Sequence, residues 1–176
     1  MPKILNADAI QAYRNDGFVS PLRVLSGEKV QSCRSELEAF EAKHGQVFSE
    51  NREKAGDSLT GSYRFKSHLL MKWLSDLVFH PHILDVVEDL IGPNIKFHHS
   101  KLNFKAPRGG EEVKWHQDIQ FWPHTNYSPL TVGVFLDDVE AGMGNVGFLP
   151  GSHDGPLYDQ YDGDAWVGCL ADKDAA

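Results

Sequence analysis

The stretch Lys114-Trp115-His116-Gln117-Asp118 carries the residue types and spacing best suited to chemistry. On an extended strand, residues two apart project from the same face. His116 and Asp118 would then offer an imidazole nitrogen and a carboxylate oxygen to one point. That pair supplies two of the three donors of a 2-His-1-carboxylate facial triad, which holds iron(II) and leaves three octahedral corners open. A His-x-Asp tripeptide also arises often by chance, and a surface strand with a His–Asp hydrogen bond is the competing reading. The neighbouring Trp115, Gln117, Phe121 and Trp122 either wall a pocket that excludes water or fill a core, the commoner fate of large rings.

The other histidines read more plainly. His98 and His99 are adjacent on an expected strand, so they should face opposite ways, with His99 on the side of Lys101 and Asn103. His80, His82 and His124 lie near helix ends or prolines, where structural or solvent roles fit best. His44 and His68 carry no motif, and His153 sits in Pro150-Gly151-Ser152-His153.

The elements that must position these groups change character along the chain. Asn6 can cap a helix carrying Ala9, Ile10 and Tyr13, which Asp16-Gly17 ends. Ser26 can cap a second, with Val30, Cys33, Leu37 and Phe40 on one side, expected to stop near His44-Gly45. Residues 46–62 read as a mobile loop. A third helix should hold Leu69, Leu70, Trp73, Leu74 and Leu77. A fourth, after Pro81, should hold Ile83, Leu84, Val87, Leu90 and Ile91 and end at Gly92-Pro93. From Asn94 the segments shorten, and turn residues separate expected strands at 95–106, 113–119, 131–136 and 146–149. Residues 1–93 thus form mainly helical support, 94–153 carry strands and 154–176 read as irregular. Helices first and strands after is an α+β order within one domain spanning 1–176.

Composition bounds the rest. The 176 residues carry 17 Lys+Arg against 25 Asp+Glu, a net charge of −8. This excess argues against nucleic-acid binding, which needs clustered positive charge, and against anionic lipid. No apolar run approaches the ~20 residues of a membrane span, and the first residues lack the apolar core of a signal peptide. Cys33 and Cys169 stand far apart, which fits a reduced, cytoplasmic setting.

Several motifs in order carry a resemblance. They are Gly92-Pro93-Asn94 before a strand, Lys105-Ala106-Pro107 before a turn, Trp115-His116-Gln117-Asp118, the Asp137-Asp138 turn, and Pro150-Gly151-Ser152-His153. Over roughly residues 1 to 155 the chain resembles the phytanoyl-CoA dioxygenase family of Fe(II)/2-oxoglutarate-dependent oxygenases. The resemblance implies N-terminal helices packed on a double-stranded β-helix, a cupin-like jelly roll. It implies His116 and Asp118 as iron ligands, with 2-oxoglutarate chelating the iron and molecular oxygen as co-substrate. It places Lys101 and Asn103 at the 2-oxoglutarate pocket, with Lys66 contributing from the preceding region and Arg64 its rival. Each lysine otherwise reads as a solvated surface charge.

The expected reaction is hydroxylation of a small organic substrate, and a carboxylate at Asp118 favours it over halogenation, for which relatives carry a small residue there. A non-catalytic cupin-like module binding a small molecule or metal is the alternative. The family places its third iron ligand and an arginine for 2-oxoglutarate well after the Pro-Gly-Ser-His turn. Here no histidine follows His153 and no arginine follows Arg108, so the jelly roll reads as incomplete and the chain as a piece of a longer protein or a shortened gene product. Such a piece alone is expected to be inactive and either marginally stable or self-associating. Gly133 and Val134 stand where many relatives carry an aromatic.

Overall fold

Asn6 and Gly17 delimit the first helix, α1 (Ala7–Asp16), by local chemistry alone. The Asn6 side chain accepts from the Ala9 N–H at 2.8 Å, and Gly17 takes φ +83°, where a left-handed turn returns its N–H to the Tyr13 carbonyl. This computed structural model describes residues 2–54, 64–65, 67–69, 71–103, 113–121 and 124–170.

Ser26 caps α2 (Gly27–Lys54), its hydroxyl accepting from the Lys29 N–H at 3.2 Å. The helix does not stop at His44-Gly45 as its sequence suggested but runs on to Lys54. One interior glycine costs about 1 kcal/mol relative to alanine, which weakens a helix without ending it. Residues 46–54 of the expected loop are therefore helical, and 55–63 lie outside the described residues. A short 3₁₀ turn (Ser67–Leu69) leads into α3 (Lys72–Val78). Pro81 then opens α4 (Pro81–Ile91), where its missing N–H costs nothing. The Asp89 carboxylate at the end of α4 accepts from the backbone N–H groups of Lys3, Ile4 and Leu5 at 2.7–2.8 Å, which fastens the N-terminus to it.

The core lies among these helices. Leu25, Cys33, Met71, Trp73, Leu74 and Leu77 are buried together, with Val30, Leu37 and Phe40 of α2 packed against them. Leu69, expected in this apolar set, is instead exposed. Leu102, Val134 and Leu136 reach the same core from the second half of the chain, so the helices support it. An ion pair between Arg34 and Asp137, 3.1 Å apart and solvent-exposed, adds little to that docking.

The strands depart most from expectation. Among the described residues only two short antiparallel pairs form. β1 (Arg64–Phe65) pairs with β2 (Lys101–Leu102), and β3 (Tyr161–Asp162) pairs with β4 (Ala165–Trp166). The expected strands at 113–119, 131–136 and 146–149 run without a ladder, and Asp118–Phe121 coils into a 3₁₀ turn. A strand exists only when a neighbour takes its backbone hydrogen bonds, and the sequence pattern names no neighbour. Phe135, Phe148 and Leu149 are accordingly exposed. The stretch expected to be irregular, 154–176, supplies the hairpin β3–β4. The helices and two paired strand sets make an α+β chain.

Candidate functional site

Residues 113–117 form neither helix nor ladder and enter the 3₁₀ turn at Asp118. This path brings His116 Nε2 to 3.2 Å from Asp118 Oδ1, both side chains half-buried. The other ring nitrogen, Nδ1, lies 2.8 Å from the Lys114 carbonyl oxygen. A carbonyl only accepts, so Nδ1 carries a proton and Nε2 is the nitrogen presented to the carboxylate.

The electrostatics are those of a coupled pair. The hydrogen bond to Asp118 raises the His116 imidazole above its ordinary value, against the opposing effect of burial. The same bond holds the Asp118 carboxyl below the usual carboxylate range, aided by the charge of Lys101. Burial and the neighbouring His98 and Lys101 push His99 down.

The site residues named from sequence divide three ways. Lys101, in β2, is half-buried and close enough to influence Asp118. Asn103 is exposed. Lys66 lies outside the described residues, and Arg64 is described in its backbone alone. His98 and His99 correct the expectation that they face apart. Their Nδ1 atoms are 2.6 Å from each other, because residues 95–100 form no regular strand and so do not alternate. His153 faces α1, donating from Nε2 to the Arg14 carbonyl at 3.1 Å. His68, without a motif in the sequence, has Nδ1 2.7 Å from the Ser100 hydroxyl just before β2.

Phe121 and Gln117, named from the sequence as flanking the pair, meet partners the sequence did not signal. Phe121 sets its ring edge-on to His116 and to Trp166, with centroids 5.8 and 5.5 Å apart, and Tyr161 continues the row at 5.1 Å from Trp166. Gln117 Nε2 donates to the Pro156 carbonyl at 2.9 Å, while its Oε1 accepts from the Tyr158 N–H at 2.8 Å and from Gln120 Nε2 at 2.9 Å. Gln160 has no exposed surface and donates from Nε2 to the Gln117 carbonyl at 3.1 Å. A glutamine-rich segment gives no periodic signal, so these contacts across about forty residues of sequence had none to offer.

The donors suit a divalent cation. Two ligands on adjacent octahedral corners, each about 2.1–2.2 Å from the metal, lie about 3 Å apart, and the His116–Asp118 spacing is 3.2 Å. An imidazole whose second N–H is held by a backbone carbonyl is the usual supported ligand. Among the described residues no third His, Cys, Asp or Glu joins them in a metal-binding group.

Comparisons with known proteins agree on the family. The sequence matches phytanoyl-CoA dioxygenase over residues 13–171. It is 35% identical over 159 residues to a probable alpha-ketoglutarate-dependent hypophosphite dioxygenase of Stutzerimonas stutzeri, covering 87% of this chain and 55% of that protein. It is 29% identical over 153 residues to an ectoine dioxygenase of Bordetella parapertussis, covering 85% of this chain and 50% of the relative. An L-proline trans-4-hydroxylase of Streptomyces griseoviridis is 28% identical over 150 residues, covering 82% and 54% of the two chains. The chain thus spans about half the length of the curated relatives it matches. No solved structure matches it. A match over most of its residues, with a His-x-Asp pair set at ligand spacing, places the chain in the phytanoyl-CoA dioxygenase family.

Proposed function

We propose that the protein is an Fe(II)- and 2-oxoglutarate-dependent dioxygenase that hydroxylates a small organic substrate. The observation that carries this reading is the convergence of His116 Nε2 and Asp118 Oδ1, 3.2 Å apart, in a chain of this family. His116 and Asp118 would hold the iron, and their neutral imidazole and carboxylate suit it better than a soft-metal site would. When bound, iron and 2-oxoglutarate together supply the oxidising power that oxygen chemistry on a C–H bond requires.

The residues of the chain prepare the site. The Lys114 carbonyl fixes the ring orientation and tautomer of His116. Lys101 contributes positive charge beside Asp118, where an anionic cosubstrate needs a counter-charge once desolvated. Asn103 and Lys66 are assigned to the same cosubstrate. The ring of Phe121 beside His116 limits water on that side. The carboxylate of Asp118 fills a coordination position, which supports hydroxylation over halogenation.

The exposed apolar side chains Phe135, Phe148 and Leu149 suit the inner faces of a jelly roll supported by the helices, with 1–176 forming one domain or part of one. The substrate is a small molecule and oxygen the co-substrate, as the names of the relatives suggest. Two free thiols, Cys33 and Cys169, fit a cytoplasmic setting, and among the described residues no helix is long and apolar enough to cross a membrane.

The test is iron-dependent conversion of 2-oxoglutarate to succinate by the whole protein. Turnover lost in His116→Ala and Asp118→Ala supports the reading. Iron binding without turnover would make the protein a non-catalytic binding module.

A further inference from the structure

Two peptide carbonyls bear on where the candidate ligands point, and both accept from residues of the stretch 160–170. The Trp115 carbonyl belongs to the peptide that leads into His116, and it accepts from the Leu170 N–H at 2.8 Å. The Gln117 carbonyl belongs to the peptide that leads into Asp118, and it accepts from Gln160 Nε2 at 3.1 Å. Rotation of either peptide would swing the following side chain. The first anchor is backbone and independent of side-chain identity. The second is shared: the Gln120 N–H of the 3₁₀ turn reaches the Gln117 carbonyl at 3.3 Å, and the shorter bond comes from a side chain, Gln160.

That side chain is unusual in its surroundings. Gln160 is fully buried, in a half of the chain whose large side chains are mostly exposed. Its backbone carbonyl accepts from the Val167 and Gly168 N–H groups at 3.0 and 3.2 Å, which ties it into the hairpin β3–β4. Its Oε1, by contrast, has no hydrogen-bond partner among the described residues. A buried amide oxygen without a partner costs stability, so an apolar side chain of the same size would serve folding at least as well. What the amide supplies that such a side chain cannot is the N–H on the Gln117 carbonyl.

We propose that Gln160 is a positioning residue, whose amide fixes the peptide ahead of Asp118 and so sets the carboxylate for the metal. The inference rests on the reading of His116 and Asp118 as metal ligands. It places Gln160 outside the ligand set and beyond contact with substrate.

Gln160→Met separates this role from a structural one, because methionine keeps the length and bulk and removes the donor. The probe is Co(II) alone, titrated into the whole protein and followed by its visible absorption, with thermal melting of the metal-free form alongside. The expected result is a Co(II) dissociation constant about ten- to hundredfold higher, altered Co(II) bands, and a melting temperature equal to or above wild type. Unchanged Co(II) binding and bands overturn the proposal. A variant that melts earlier while losing Co(II) in step, or that fails to fold, makes Gln160 a structural residue and overturns it too. Wild type and His116→Ala are run beside it. If both bind Co(II) equally, the metal reading itself fails and the proposal falls with it. If only His116→Ala loses Co(II), a failure of Gln160→Met belongs to this inference alone.

Discussion

The imidazole of His153 occupies the space that a Cβ on Gly17 would need, its Nδ1 2.5 Å and its Cγ 2.7 Å from that position. His153 cannot easily give way, because its Nε2 is bonded to the Arg14 carbonyl and the Gly151 N–H is bonded to the Asp16 carbonyl two residues along. Phe18 stacks on Phe148 beside the same contact, with centroids 5.1 Å apart. The Pro-Gly-Ser-His turn is therefore a dock for the end of α1, and among the described residues His153 joins no metal-binding group with His116 and Asp118. Gly17→Ala combines this clash with a φ of +83°, so a loss of stability of about 2 kcal/mol or more is expected. Denaturant unfolding measures it, and a neutral substitution would mean the turn sits elsewhere.

His116→Ala and Asp118→Ala should each lower metal affinity at least about 100-fold, since a direct ligand matters more than its supporting shell. Neither residue is in the apolar core, so melting temperatures should stay within a few degrees of wild type. Calorimetric titration with Mn(II) reads the first effect. Retained affinity in either variant removes that residue from the ligand set.

Lys101→Ala tests the cosubstrate side of the site. The lysine lies near Asp118 but binds no metal itself, so the 2-oxoglutarate requirement should rise more than the iron requirement. A charged partner for a carboxylate is worth about 1.5–3 kcal/mol, or roughly ten- to a hundredfold in apparent affinity. Equal changes in both requirements would make Lys101 a general electrostatic contributor instead.

Local signals were legible in the sequence and distant ones were not. Asn6 with Gly17, and Pro81 with Gly92, mark helix ends because a cap is decided within a few residues. Gly45 misled, since a helix interior tolerates one glycine when the turns around it hold. The pairing of His116 with Asp118 was visible because it spans two residues, although it is realised at the mouth of a 3₁₀ turn and outside any paired strand. The opposite facing of His98 and His99 failed for a related reason, as alternation requires a regular strand. Gln160 lies 43 residues from Gln117, and nothing in a polar stretch between acidic residues signals that it is buried.

The His116–Asp118 pair also sets a pH dependence whose sign differs with and without metal. In the metal-free protein the imidazole is raised from 6.5, so its contribution to stability is full below that value and is lost as pH rises through the raised pKa. The carboxyl is lowered from 3.8, so its contribution is present above that value and is lost as pH falls through the lowered pKa. The pair therefore stabilises the metal-free fold most between about pH 4 and 6.5. Both side chains are partly exposed, so the effect is at most about 1 kcal/mol. Asp118→Asn should erase it, visible as a loss of the difference in unfolding free energy between pH 5.5 and pH 8.5. Metal binding runs the other way. A cation must displace the proton from Nε2, so Mn(II) affinity should climb with pH, by about tenfold per unit below the raised imidazole pKa, and level off above it. A flat Mn(II) affinity between pH 5.5 and 8.5, in a protein whose stability still shows the pair, would mean that the cation binds without the His116 nitrogen.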